Sequence, residues 1–87
     1  MPYSVEIKPS ALANLKRLSK GIVARISDKI EALSKEPRPQ GVEKLAGEED
    51  VYRIRMGDYR VVYQIQDKSW QVLVLRIGHR KEVYRAL

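Results

Sequence analysis

Apolar and polar residues alternate from residue 3 to residue 8 (YSVEIK) and the alternation ends at Pro9, which predicts a short first strand followed directly by a helix. From Pro9 to about Ser19, Leu12, Leu15 and Leu18 recur at helical spacing, opposite Asn14 and Lys16, and Gly21 breaks the run. A first helix with a leucine face is expected there. Ile22, Ile26, Ile30 and Leu33 continue a helical period, with Arg25, Asp28, Lys29 and Lys35 off the stripe, until Pro37 stops it. The two helices should form a hairpin that covers one face of a larger element.

Residues 36–50 (EPRPQGVEKLAGEED) hold two prolines, two glycines and five acids, and read as a connecting loop. Three strand-like runs follow, Val51–Met56, Tyr59–Gln66 and Trp70–Ile77. Gly57-Asp58 joins the first two as a two-residue hairpin, with Gly57 supplying the positive φ of a type II′ turn. Asp67-Lys68 turns the chain again. Residues 72–75 (VLVL) are apolar on both faces, which places the third run centrally in an antiparallel sheet. The order βααβββ with a short tail predicts an α+β fold in a single domain spanning residues 1–87.

A chain of 87 residues, 44% of them hydrophobic, can bury a core, but at this size folding hides only roughly 60% of the unfolded surface. Modest stability and a stabilising partner are expected. The absence of cysteine removes disulfides, thiolate metal sites and thiol nucleophiles. No apolar run reaches the ~20 residues of a membrane span, and the start MPYSVEIKPS lacks the pattern of a signal peptide, so a cytoplasmic protein is expected. Charge changes the picture more: residues 1–50 carry nine Lys/Arg against eight Asp/Glu, residues 51–87 eight against three. A polyanionic partner follows, nucleic acid ahead of a membrane surface because no basic amphipathic helix accompanies the charge.

The strand period sharpens this. It puts Tyr52, Ile54 and Met56 toward the helices and Arg53 and Arg55 on the other face, and a Gly57-Asp58 turn pairs Met56 with Tyr59, Arg55 with Arg60, Ile54 with Val61 and Arg53 with Val62. Arg55 and Arg60 then stand directly opposite, where like charges are destabilising. A face selected for stability alone would avoid this, whereas a planar guanidinium fork matches a phosphate. The plain alternative is a solvated face paired with acids of the 43–50 loop. Against it stands the tail, where Arg76, His79, Arg80, Lys81, Tyr84 and Arg85 follow the central strand, which Gly78 breaks so that the chain can return across the sheet. Rings that stack on bases beside guanidiniums that hold phosphates suit an RNA backbone. Tyr52, Tyr59 and Tyr63 share the core parity and are read as packing.

The segments VYRIRMGDYRVVYQI and VLVLRIGHRKEVYRAL resemble the second half of the RelE toxins, within the RelE/ParE superfamily of toxin–antitoxin systems. The resemblance implies a fold like that of small microbial ribonucleases. It also implies cleavage of messenger RNA in the ribosomal A site, with the RNA 2′-hydroxyl as nucleophile and without a metal or other cofactor. By the same resemblance Arg53 and Arg55 hold phosphates and help activate the 2′-oxygen. Arg60 stabilises charge on the scissile phosphate, Arg80 attends the leaving 5′-oxygen, and Tyr84 stacks on or orients the substrate. Lys81 and Arg85 extend the RNA-binding surface. Relatives usually carry lysines where Arg53 and Arg55 stand, and arginine is a poor general base. Proton transfer is therefore open between electrostatic stabilisation with ribosomal alignment and a role for His79 with Glu43 as its carboxylate. The competing class is a ParE-type toxin that poisons DNA gyrase without chemistry of its own, and a third reading is an inactive chain serving only as partner and corepressor. The implied partners are a cognate antitoxin, the 70S ribosome with its mRNA, and operator DNA only indirectly through the antitoxin; no membrane is expected.

Overall fold

Pro9 opens the first helix because its missing N–H is unneeded in a first helical turn and its φ is already helical. The computed structural model describes residues 2–83 except 46 and 48. In it, strand β1 (Ser4–Ile7) leads into α1 (Pro9–Lys16) and α2 (Lys20–Ala32). Strands β2 (Glu43–Lys44), β3 (Val51–Met56), β4 (Tyr59–Gln66) and β5 (Gln71–His79) follow, with a 3₁₀ turn at Asp67–Ser69. The five strands form one sheet in the order β1-β5-β4-β3-β2. The α+β class is as expected, but the observed order is βααββββ, one strand (β2) more than the expected βααβββ. Among the described residues no helix is long and apolar enough to cross a membrane.

Both helices pack on one face of the sheet. Ile26, Ile30 and Leu33 of the second helical stripe are buried among Ile54, Met56, Val61, Tyr63, Ile65, Val72, Val74 and Ile77. Burying each such side chain stabilises by about 1.5–3 kcal/mol. In α1 the packed pair is Ala11 and Leu15, whereas Leu12 is 37% exposed. The predicted three-leucine face is thus corrected at Leu12: Ala11 and Leu15, at i and i+4, meet the sheet, and Leu18 packs half-buried against the same core. Gly21 does not separate the helices either, since it lies in the first turn of α2 and the break falls at residues 17–19.

The β3–β4 hairpin has the predicted register: Met56 pairs with Tyr59, Arg55 with Arg60, Ile54 with Val61 and Arg53 with Val62. Gly57 has φ +60° and Asp58 has no positive φ, as a type II′ turn requires. Three expectations change beyond it. The centre of the sheet is β4, flanked by two strands on each side. The sheet is mixed, since β1 runs parallel to β5. Finally, the 36–50 segment is not all loop, because Glu43 and Lys44 pair antiparallel with Arg53 and Tyr52 as an edge strand.

Strand β5 carries an irregularity: Tyr63 pairs with Val74 but Val62 with Arg76, so Leu75 is an extra residue. This bulge resets the period. Val72 and Val74 face the helices before it and Ile77 after it, and Arg76 moves from the core parity to the side of Val62 and Arg60. Without the bulge, strict alternation would drive Arg76 into the core.

At the far end of the sheet Arg38 grips Asp67 with both Nη atoms, at 3.1 and 2.8 Å, and Tyr3 donates its hydroxyl to Asp67 at 2.6 Å. Arg38 also lies over the Tyr52 ring, 5.2 Å from its centroid. The Arg38 guanidinium, assisted by the Tyr3 hydroxyl, lowers the Asp67 carboxyl to about 2. A carboxyl depressed on folding stabilises above its unfolded pKa, near 4, and that contribution disappears as pH falls through the folded value. Asp67→Asn should therefore lower the thermal midpoint at neutral pH and flatten its decline between about pH 4 and pH 2. Equal declines in the two proteins, followed by circular dichroism, would contradict this role for the clamp.

Candidate functional site

The sheet face away from the helices carries the basic side chains, and its register explains their grouping. Arg53 and Arg55 project from β3 on one side of period two, and Arg60 stands opposite Arg55 on β4. Arg60 in turn is opposite Gly78 on β5, which brings no side chain of its own to the pair. Arg76 joins the same face through its pairing with Val62. From sequence alone Arg76 belongs to the basic tail only, because the bulge that aims it leaves no mark in the hydropathy pattern.

The face is not simply a solvated surface. Val51, Val62 and Val83 are buried there as a second small core, with Leu45 and Leu75 packed against it. Gly78 does not break β5, which continues to His79; the chain turns after it, with the N–H groups of Glu82 and Val83 both donating to the His79 carbonyl. This return places Val83 over Gly78 and floors the basic site with apolar side chains.

Repulsion between Arg55 and Arg60 is relieved by sending their guanidiniums apart. Arg60 is only 9% exposed. Its Nη1 donates to the carbonyl oxygens of Gly57 and Tyr59, at 2.8 Å each, which leaves Nε and Nη2 to meet a ligand. Arg55 Nη2 instead reaches Glu43 Oε1 at 3.1 Å. Arg53 donates through Nε at 3.1 Å and through Nη2 to Glu43 Oε2. One carboxylate thus bridges two guanidiniums across the β2–β3 pair. The Arg53 hydrogen bonds, with the charges of Arg55 and Arg60, hold the Glu43 carboxyl below its usual range.

Arg80 approaches the same hairpin from the tail. Its backbone N–H donates to the Asp58 carbonyl at 2.7 Å and its Nε lies 3.9 Å from Asp58 Oδ1. The Gly57-Asp58 turn therefore holds Arg60 through the Gly57 carbonyl and Arg80 through the Asp58 carbonyl. Lys81 is exposed beside them. Tyr84 and Arg85, expected to stack on and bind RNA, lie outside the described residues.

His79 is placed elsewhere. It pairs with Tyr59, whose ring it meets edge-on at 5.8 Å, and shares the helix-side parity of Ile77. Its Nδ1 accepts the Lys81 N–H at 3.2 Å, which puts the proton of the neutral ring on Nε2. The expected pairing of His79 with Glu43 is corrected: β2 and β5 are three strand spacings apart, on the order of 14 Å, and Glu43 is engaged by Arg53 and Arg55. Among the described residues no group of three His, Cys, Asp or Glu side chains is placed to hold a metal ion.

A mixed sheet with an arginine-lined hairpin, a two-helix cover and a basic tail defines a class that comparison with known proteins makes specific. The family model described as the ParE toxin of the type II toxin–antitoxin system parDE matches residues 5–84. Toxin RelG of Mycobacterium tuberculosis is 35% identical, covering 98% of this chain and 99% of that protein. The mRNA interferase toxin RelE of Escherichia coli K12 is 31% identical, covering 97% and 92%. In the solved archaeal RelE–RelB complex from Pyrococcus horikoshii, the matched chain is 33% identical with a TM-score of 0.83, covering 94% of this chain and 99% of that one. The chain belongs to the RelE/ParE superfamily of type II toxin–antitoxin toxins, and within it to the RelE type.

Proposed function

We propose that the protein is the toxin of a type II toxin–antitoxin system, a ribosome-dependent endoribonuclease that cuts mRNA in the ribosomal A site. The observation that carries this reading is the convergence of Arg53, Arg55, Arg60 and Arg80 on one hairpin and its turn. Glu43 and Asp58 offset only part of this positive charge, and an RNA phosphate would offset the rest. In the reaction the 2′-oxygen attacks the adjacent phosphorus as the bond to the 5′-oxygen breaks. The products are a 2′,3′-cyclic phosphate and a 5′-hydroxyl. One proton leaves the 2′-oxygen and one reaches the 5′-oxygen.

Arg53 and Arg55 hold the non-bridging oxygens of the RNA phosphates. Arg60, fixed by two carbonyls before substrate arrives, faces the charge that grows on the pentavalent phosphorus, as a preorganised donor should. Arg80 serves the leaving oxygen, Tyr84 stacks on the substrate, and Lys81 and Arg85 flank the backbone. Arginine does not give up its proton at physiological pH. Protons therefore exchange with water, and the site contributes charge stabilisation while the ribosome aligns the 2′-oxygen for in-line attack. His79→Gln is accordingly expected to keep A-site cleavage within about threefold of wild type from pH 6 to 8; a general acid or base would contribute about 10²–10⁴. A loss of that size, or an altered pH profile, would make His79 a proton carrier.

The protein acts in the cytoplasm, where its substrate is. Its partner is a cognate antitoxin, as in the solved RelE–RelB complexes of relatives, and an acidic amphipathic segment would complement the basic half of the chain. Operator DNA is contacted only through that antitoxin. The test is a purified translation system with a defined message, mapping new 5′ ends by primer extension. Cuts within A-site codons, suppressed by the antitoxin, are expected. The second reading, a ParE-type gyrase poison, is favoured by the description of the matching family model. Intact message together with inhibited gyrase supercoiling would decide for it.

A further inference from the structure

Glu43 is an acid in the middle of a basic site, and its geometry suggests a purpose. Its two carboxylate oxygens are divided between Arg53 and Arg55, one to each guanidinium. Two oxygens shared between two guanidiniums is also how the non-bridging oxygens of a phosphodiester would be held. Carboxylate and phosphodiester each carry one negative charge, so exchanging one for the other leaves the local charge unchanged. We infer that Glu43 is an intramolecular stand-in for the RNA phosphate, a latch that occupies Arg53 and Arg55 in the free toxin and is displaced when substrate binds. The inference rests on the reading of this face as a phosphate site.

The backbone suits displacement. Glu43 sits on a two-residue edge strand paired with β3 through Glu43–Arg53 and Lys44–Tyr52, with one further hydrogen bond from the Leu45 N–H to the Val51 carbonyl. Glycines with positive φ flank that strand, Gly41 at +89° and Gly47 at +80°. Short edge pairings next to such turns belong to the least stable parts of a fold. The side chains are also open to solvent, at 42% for Glu43, 56% for Arg55 and 25% for Arg53, so an incoming phosphate can reach them. A latch of this kind weakens binding to any free polyanion. RNA presented by the ribosome, with further contacts to drive the exchange, would overcome it.

The test is fluorescence anisotropy with a short labelled single-stranded RNA carrying 2′-O-methyl sugars, which binds without being cut. Glutamine keeps the shape and one acceptor oxygen of Glu43 but not its charge. Glu43→Gln should bind this RNA about fivefold more tightly at low salt, since each exposed pair removed is worth a factor of roughly 1.5–5. Its affinity should also fall more steeply with salt, by about 0.7 in the log–log slope for one added net charge. Glu43→Asp should lie between the two. Unchanged or weaker binding by a folded Glu43→Gln protein would overturn the latch. Should that variant not fold, the wild-type Arg53 Nε–H resonance decides: a saturable shift on titration with inorganic phosphate is expected, and none would overturn the proposal. Because the readout is binding, the two readings fail separately. Tightened binding by a toxin that cuts nothing on the ribosome would remove the ribonuclease and keep the latch, and an active toxin with unchanged Glu43→Gln binding would do the reverse.

Discussion

Arg60→Ala is expected to reduce A-site cleavage by about 10²–10³, the loss typical of removing one preorganised donor to a developing oxyanion. Arg60 differs from its neighbours in being held before substrate arrives: it is nearly buried, with Nη1 fixed by the Gly57 and Tyr59 carbonyls. Arg53 and Arg55 must reorganise away from Glu43, whereas Arg60 has already lost its rotamer freedom on folding. Lysine should not restore activity, because one ammonium cannot bridge two carbonyls and still present a planar pair of donors. Folding should survive, since the carbonyls left behind belong to exposed Gly57 and half-buried Tyr59 at the hairpin end, outside the main core. Primer extension on programmed ribosomes gives the activity and a thermal melt gives the fold. Cleavage within threefold of wild type would remove Arg60 from the site.

The second large effect falls on stability. Tyr63 has 0% exposure at the centre of β4, packs against Tyr52 with ring centroids 6.1 Å apart and planes inclined by 28°, and donates its hydroxyl to the Pro37 carbonyl at 2.7 Å. Burial holds the hydroxyl well above the usual tyrosine range, so it remains a donor throughout the accessible pH range. Tyr63→Ala should cost about 3–5 kcal/mol, the range for aromatic truncation in a core. That is a large share of the ~5–15 kcal/mol available to a native domain. The thermal midpoint should drop by more than about 12 °C. Tyr63→Phe, which only leaves the Pro37 carbonyl without its donor, should cost about 1–3 kcal/mol. Denaturant melts of the three proteins check the ranking, and near-wild-type stability of Tyr63→Ala would contradict the place given to this ring.

The hairpin was legible because two-residue turns leave no freedom of register: once Gly57 supplies the positive φ, the opposition of Arg55 and Arg60 follows from counting. The second helix was legible for a similar reason, its isoleucine period being long and uninterrupted. What escaped was set by tertiary pairing. A two-residue strand at Glu43–Lys44 has no periodicity to detect, and it exists because β3 offers it an edge. The parallel place of β1 beside β5 depends on chain path, which alternation does not encode. The bulge at Leu75 gives VLVLRI two readings of its faces, and only the pairing with β4 selects the one that brings Arg76 to the basic side. Glu43 was legible as an acid of interest, but a partner for it could be chosen only once β2 lay next to β3 rather than β5.

On the proposed mechanism the arginine face cleaves mRNA by in-line attack of the RNA's own 2′-oxygen. The most direct measurement programs ribosomes with two messages that differ only by a 2′-deoxy sugar at the A-site nucleotide preceding the cut, and maps the new 5′ ends for each. Cleavage of the ribose message to a 5′-hydroxyl end, with the deoxy message left intact, is the predicted result. Equal cleavage of both, or of neither, would contradict it.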